Sequence, residues 1–212
     1  GVVLSDIPLL AVTLLILLAA RRRWGEETSW FWARLGALAG YACLVRTSGA
    51  ALLAALVLCL LLEKRWRAAL AAGFSGGAVF GAYLLRNQLV VGRSEARLVK
   101  ILAGWKELRL WDNASFYLHE IFGRALFRWP AGPGESALNG LTLMLCLTAL
   151  AAGLRAWGLK GWRKLVPAYL LVYAGVHLLW PQQGGRYMVS ILPLVCVLLF
   201  LGLDWADRRW KL

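Results

Sequence analysis

The chain has 212 residues, 60% of them hydrophobic, with a mean hydropathy of +0.63 and a formal net charge of +13. That composition excludes an ordinary water-soluble domain of this size and is that of a multi-pass membrane protein. The charge does not call for nucleic acid. It lies in short clusters between apolar runs, which membrane topology alone explains, with attraction to anionic lipid headgroups as a by-product.

The chain opens Gly1-Val2-Val3, without Met and already inside an apolar run, and reads as a piece of a longer protein. No basic region precedes that run and no cleavage site follows it, so it is not a signal peptide. The first span covers roughly Val2 to Ala20, with Ser5-Asp6-Ile7-Pro8 at its start. Asp6 serves either as a helix cap ahead of Pro8 or as the acid of a polar site at the span's outer end.

After Arg21-Arg22-Arg23 comes the stretch Ala33 to Leu62, almost unbroken in apolar character except for Arg46. As one helix it would run ~45 Å against a hydrocarbon core of ~30 Å. It would also leave Arg46 at mid-bilayer, at a cost of at least ~2.5 kcal/mol. The alternative is a hairpin of two short helices turning at Arg46-Thr47-Ser48-Gly49, where Ser and Gly favour a turn. The hairpin also places four basic clusters on one side: Arg21-Arg22-Arg23, Lys64-Arg65-Trp66-Arg67, Arg155 to Lys164, and Arg208-Arg209-Trp210-Lys211. The positive-inside rule prefers this and makes that side cytoplasmic. Each hairpin arm, at ~21–23 Å, is marginal for a full crossing.

The next span, Ala68 to Val91, carries Gly73, Gly77 and Gly81 at four-residue spacing, and the first hairpin arm carries Gly36 and Gly40. Both patterns predict close helix packing and no chemistry. Gly92 to Ser136 is a long outer segment. Within it Leu98, Ile101, Leu102, Trp105 and Leu108 mark an amphipathic surface helix, and Asp112-Asn113 would cap a second helix from about Ala114 to Phe127. Asn113-Ala114-Ser115 fits the N-glycosylation tripeptide, a pattern common by chance. Three further spans follow at Ala137–Leu154, Leu165–Trp180 and Met188–Leu203, with a cytoplasmic tail from Asp204. The expected fold is therefore all-α: a polytopic transmembrane bundle of about seven membrane segments, with residues 1–91 holding the first four and 137–212 the last three. The twelve tryptophans fall at or beyond the ends of apolar runs, as an aromatic belt does.

This topology gathers Asp6, Arg46, Arg86, Asn87, Gln182, Gln183, Arg186 and Tyr187 at the outer face. Three arginines converging there suit an anion, because guanidinium gives bidentate bonds to phosphate oxygens. A lipid phosphate sits at that depth. The plain alternative is that each arginine snorkels to the interface independently. No P-loop, GxGxxG, HExxH or GxSxG motif is present, and no metal cluster is legible. Cys43, Cys59, Cys146 and Cys196 read as small buried hydrophobes. His119 and His177 read as structural, and Glu107, Asp112, Glu120 and Glu135 as caps or solvated acids, any one of which could serve as a base.

The order of Ser5-Asp6-Ile7-Pro8, Leu44-Val45-Arg46-Thr47-Ser48-Gly49, Leu84-Leu85-Arg86-Asn87 and Gly185-Arg186-Tyr187 with Leu192-Pro193-Leu194 resembles the integral-membrane glycosyltransferases of the GT-C type, in the protein-mannosyltransferase and aminoarabinose-transferase group. The likeness spans nearly the whole chain, as the middle and later part of such a membrane domain. It implies transfer of a sugar from polyprenyl phosphate to an acceptor at the extracytoplasmic face, with inversion at the anomeric carbon. Arg46, Arg86 and Arg186 would stabilise phosphate charge, with Asn87 and Tyr187 orienting it. Asp6 would match the family's second acidic position. The principal catalytic acid would lie upstream of Gly1, so this chain by itself would be inactive. Some relatives bind a divalent cation. The resemblance places the protein in a bacterial or archaeal plasma membrane, or in the endoplasmic reticulum of a eukaryote. The competing readings are a transporter or lipid flippase and a non-catalytic membrane assembly subunit. The spans' nearly charge-free centres and the lack of an internal repeat count against transport.

Overall fold

The computed structural model describes residues 6–91, 110–119, 121–122, 136–179 and 190–210. All regular structure among them is helical: α1 (Asp6–Arg23), α2 (Ser29–Val45), α3 (Ala50–Leu62), α4 (Trp66–Val91), α5 (Leu110–Leu118), α6 (Ser136–Trp157), α7 (Leu165–Leu178) and α8 (Leu192–Trp210). The chain divides into two compact units. The first comprises Gly1–Leu110 with Lys164–Gln182, and the second Trp111–Arg163 with Gln183–Leu212. The expected surface helix around Leu98 to Arg109 and the outer turn around Arg186 lie outside the described residues.

In the first unit the chain doubles back at Arg46. Its backbone is extended (φ −157°, ψ 137°), which ends α2, and a short 3₁₀ turn over Thr47–Gly49 leads into α3. The Gly49 backbone lies directly on Ala42, where any side chain would overlap, so the turn closes this tightly only with glycine. Packing partners settle the directions. Gly36 lies on Ala72 and Gly40 on Gly76, a constant offset of 36, so α2 and α4 run parallel. Leu53 meets Gly76 and Val57 meets Gly73, so α3 runs antiparallel to both. The Ser75 hydroxyl, on α4, donates across to Ala33 O of α2 at 2.7 Å, a polar tie of the kind apolar bundles use.

This packing corrects the glycine reading of α4. Gly36 and Gly40 do make a close approach, but α4 meets them with Ala72 and Gly76. Gly77 and Gly81 have nothing within 4 Å of where a side chain would begin. Gly73 and Gly77 instead help line an apolar groove of about 540 Å³ with Val57, Leu61, Leu70 and Phe74.

The opposite end of the unit is basic. Trp24 Nε1–H donates to Glu63 Oε2 at 2.7 Å, and Lys164 Nζ donates to Glu63 Oε1 at 3.0 Å. Arg65 donates to the carbonyls of Trp24 and Glu26, and its guanidinium lies 4.8 Å from the ring centroid of Trp32. These bonds bring the ends of α1 and α3 and the starts of α2, α4 and α7 together. Trp32 departs from the belt expectation. It is fully buried, edge-on to Trp24, with its N–H on Glu26 O. Trp30, Trp66 and Trp111 are exposed. Because Glu63 serves two donors in a half-buried place, Glu63→Ala is expected to cost about 1–3 kcal/mol. Breaking the exposed Asp204–Arg208 pair by Arg208→Ala should cost about 0.5 kcal/mol or less. Melting in detergent compares the two.

In the second unit α6 and α8 pack with their backbones in contact at Gly153 and Gly202. Helix α8 runs on through Asp204 to Trp210, so the expected tail begins as helix. Asp112 and Asn113 stand inside the first turn of α5, since that helix starts at Leu110. Asn113 is buried, a setting at odds with a glycan on its side chain. Among the described residues two helices, spanning Trp66–Val90 and Asn139–Trp157, are long and apolar enough to cross a membrane, where seven segments are expected over the whole chain. Neither is a core helix: most of each lies on the surface, with Phe74 82% exposed and Met144 69% exposed. Outward apolar faces of this extent suit a membrane environment.

Candidate functional site

Within the first unit, α1 and α7 bring their ends to the hairpin turn. Asp6 is the first described residue of α1 and is 3% exposed. Arg46 terminates α2, with its side chain 11% exposed. The two form an ion pair, Arg46 Nη1 to Asp6 Oδ1. The expectation that both lie at one end is met by direct partnership. Asp6 is therefore the counter-ion of Arg46, which goes beyond a cap ahead of Pro8.

Buried polar side chains from α1, the turn and α7 belong to the same end of the unit. Thr13, two turns along α1 from Asp6, donates to Leu9 O at 2.8 Å. Ser48, in the turn, is buried, and its hydroxyl meets no partner among the described residues. From α7 come Tyr169, Tyr173 and His177, one helical turn apart and on one face. Tyr169 and Tyr173 meet edge to face at 5.6 Å, and Tyr173 stacks on His177 with centroids 4.2 Å apart. Tyr169 lies beside Thr13, and both Tyr169 and His177 are within electrostatic reach of Arg46.

His177 is 4% exposed, and its Nδ1 is 2.8 Å from Tyr173 O. A carbonyl only accepts, so Nδ1 carries the proton, and in the neutral ring Nε2 holds the lone pair. A structural role was the sequence expectation for this residue. The bond to Tyr173 O agrees with that role, and the ring also lies within electrostatic reach of Arg46 and so near the Asp6–Arg46 pair. The signal for it was present in sequence as the four-residue spacing of Tyr169, Tyr173 and His177.

Arg86 and Asn87 are not in that cluster. By the α2–α4 register Arg46 is level with Ala82, so Arg86 lies one turn, about 6 Å, farther out. Arg86 is exposed and Asn87 half-buried. Gln182, Gln183, Arg186 and Tyr187 lie outside the described residues, as do Glu107, Glu120 and Glu135. His119 and Asp112 are exposed on the second unit. Among the described residues no three His, Cys, Asp or Glu side chains assemble as a metal would require.

A buried ion pair is poor evidence of a stabilising device. Removing the two charges from water costs several kcal/mol per ion, and their attraction repays this only with good geometry. What the arrangement can do is hold a guanidinium at a fixed place and orientation near the bundle's end, flanked by a hydroxyl, a phenol and an imidazole. No protein-family model matches the chain, and no curated protein and no solved structure matches it either.

Proposed function

We propose that this chain is part of a multi-pass membrane glycosyltransferase of the GT-C type, which takes a sugar from polyprenyl phosphate at the hairpin end of the bundle, on the extracytoplasmic side. The observation that carries this reading is the buried Asp6–Arg46 pair at the turn. Loss of a sugar leaves an additional negative charge on the lipid phosphate, and a cation already oriented in an apolar setting stabilises that charge without reorganising. Asp6 keeps the Arg46 side chain in one position. Arg86, one turn farther out and exposed, is placed to meet the phosphate on approach. Arg186 and Tyr187 would join from the outer turn, with a carboxylate as the general base. The acceptor hydroxyl then loses its proton to that base as the bond to the anomeric carbon forms.

The test uses the complete reading frame in proteoliposomes with a polyprenyl-phosphate sugar. Arg46→Lys keeps the charge but loses the fork geometry, and is expected to lower transfer by about 100-fold or more. Arg208→Gln, on an exposed pair, should transfer as wild type does. Wild-type rates in both Arg46→Lys and Asp6→Asn would sink the reading. A proton-coupled transport reading draws on the same cluster, because an acid, an arginine and a histidine together suit a proton relay. It requires substrate-driven proton uptake in the same vesicles.

A further inference from the structure

We infer that the basic end of the first unit is a docking surface for anionic phospholipid headgroups, organised around Lys64; this rests on the membrane reading but on neither sugar nor transfer. Helix α3 closes with a paired turn in which Lys64 N–H bonds Leu61 O and Arg65 N–H bonds Leu60 O, each at 2.9 Å. Helices that end this way place a left-handed residue after the last turn, and glycine is the usual choice. Here it is Lys64, with φ +59°, the one non-glycine residue of positive φ among those described. A lysine is disfavoured in that conformation.

Its neighbours are turned inward. Glu63 accepts from Trp24 and Lys164, and Arg65 serves two carbonyls while lying over Trp32. Lys64 and Arg67 face outward, beside an exposed Trp66. The bond from Trp24 to Glu63 draws the end of α1 alongside, adding exposed Arg22 and Arg23. The acids at this end are Glu26, near Arg23 at 4.0 Å, the exposed Glu27, and the engaged Glu63, so the surface remains cationic. Outward cations rimmed by an exposed indole match the phosphates and the polar–apolar boundary of an anionic leaflet. The unfavourable backbone at position 64 is thus offset by what its ammonium group binds.

The test is thermal melting of the 212-residue chain in nanodiscs of phosphatidylcholine alone and of phosphatidylcholine mixed with phosphatidylglycerol. Wild type should melt higher in the mixed discs, and the increment should shrink in high salt. Lys64→Gly should raise the Tm by about 2–4 °C in phosphatidylcholine, where only strain is relieved. It should also lose half or more of the phosphatidylglycerol increment. Arg67→Gln should lose increment without the gain. A full increment in both variants, or none in wild type, overturns the inference and leaves the membrane reading standing. Failure to enter discs of either composition overturns both.

Discussion

Arg46→Met alone should destabilise the first unit by about 3–5 kcal/mol, because it strands the Asp6 carboxylate in a buried place without its counter-ion. Asp6→Leu alone should cost a similar amount, since it strands the guanidinium instead. The double variant Asp6→Leu/Arg46→Met should behave differently. Replacing both charges by apolar side chains of similar volume removes the desolvation penalty along with the attraction, so its stability should return to within about 1 kcal/mol of wild type or exceed it. Reversible unfolding in mixed micelles gives all four corners of the cycle. In the complete protein the same double variant should fold yet lose sugar transfer. That combination separates a site from a structural pair. If the double variant is as unstable as the singles, Arg46 and Asp6 are held by other partners, and the electrostatic account of the hairpin turn fails.

The second large effect concerns the backbone contact between α2 and α4. A side chain at Gly36 would overlap Ala72, and one at Gly40 would come within 2.5 Å of the Gly76 carbonyl oxygen. Neither neighbour is a flexible side-chain end, so the helices themselves must separate. Gly36→Leu is expected to cost about 3 kcal/mol or more, at or above the upper end for overpacking. It would also pull Ser75 away from Ala33. Gly77→Ala has open space around it and should gain about 0.5–1 kcal/mol from helix propensity alone. The paired unfolding measurements have opposite expected signs. Equal effects at the two positions would refute the packing described here.

The reversal at Arg46 was legible because an arginine followed by Thr-Ser-Gly interrupts a run too long for one crossing. The gathering of basic clusters at one end of the first unit followed from that reversal. The stripe of Gly73, Gly77 and Gly81 was less informative. Four-residue spacing says which residues share a face, but not which face its neighbour takes, and α2 takes the one carrying Ala72 and Gly76. Trp32 shows the same limit: its place in the chain is that of a belt residue, and its surroundings are those of a core. At the site, Asp6 and Arg46 were legible as residues of one end. Their partnership was not, nor was the nearness of His177, which Arg46 influences from a turn far away in sequence.

What the amino-acid order determined by itself is local: apolar runs of helical length, the turn that folds one of them back, and the clustering of charge at run ends. Periodicity and composition act over a few residues, so they suffice for these. Which charges neutralise each other was decided only by tertiary packing, because an ion pair depends on distances between side chains far apart in sequence. Asp6 reaches Arg46 only because α1 and the hairpin end at the same level, and that contact fixes where the guanidinium stands.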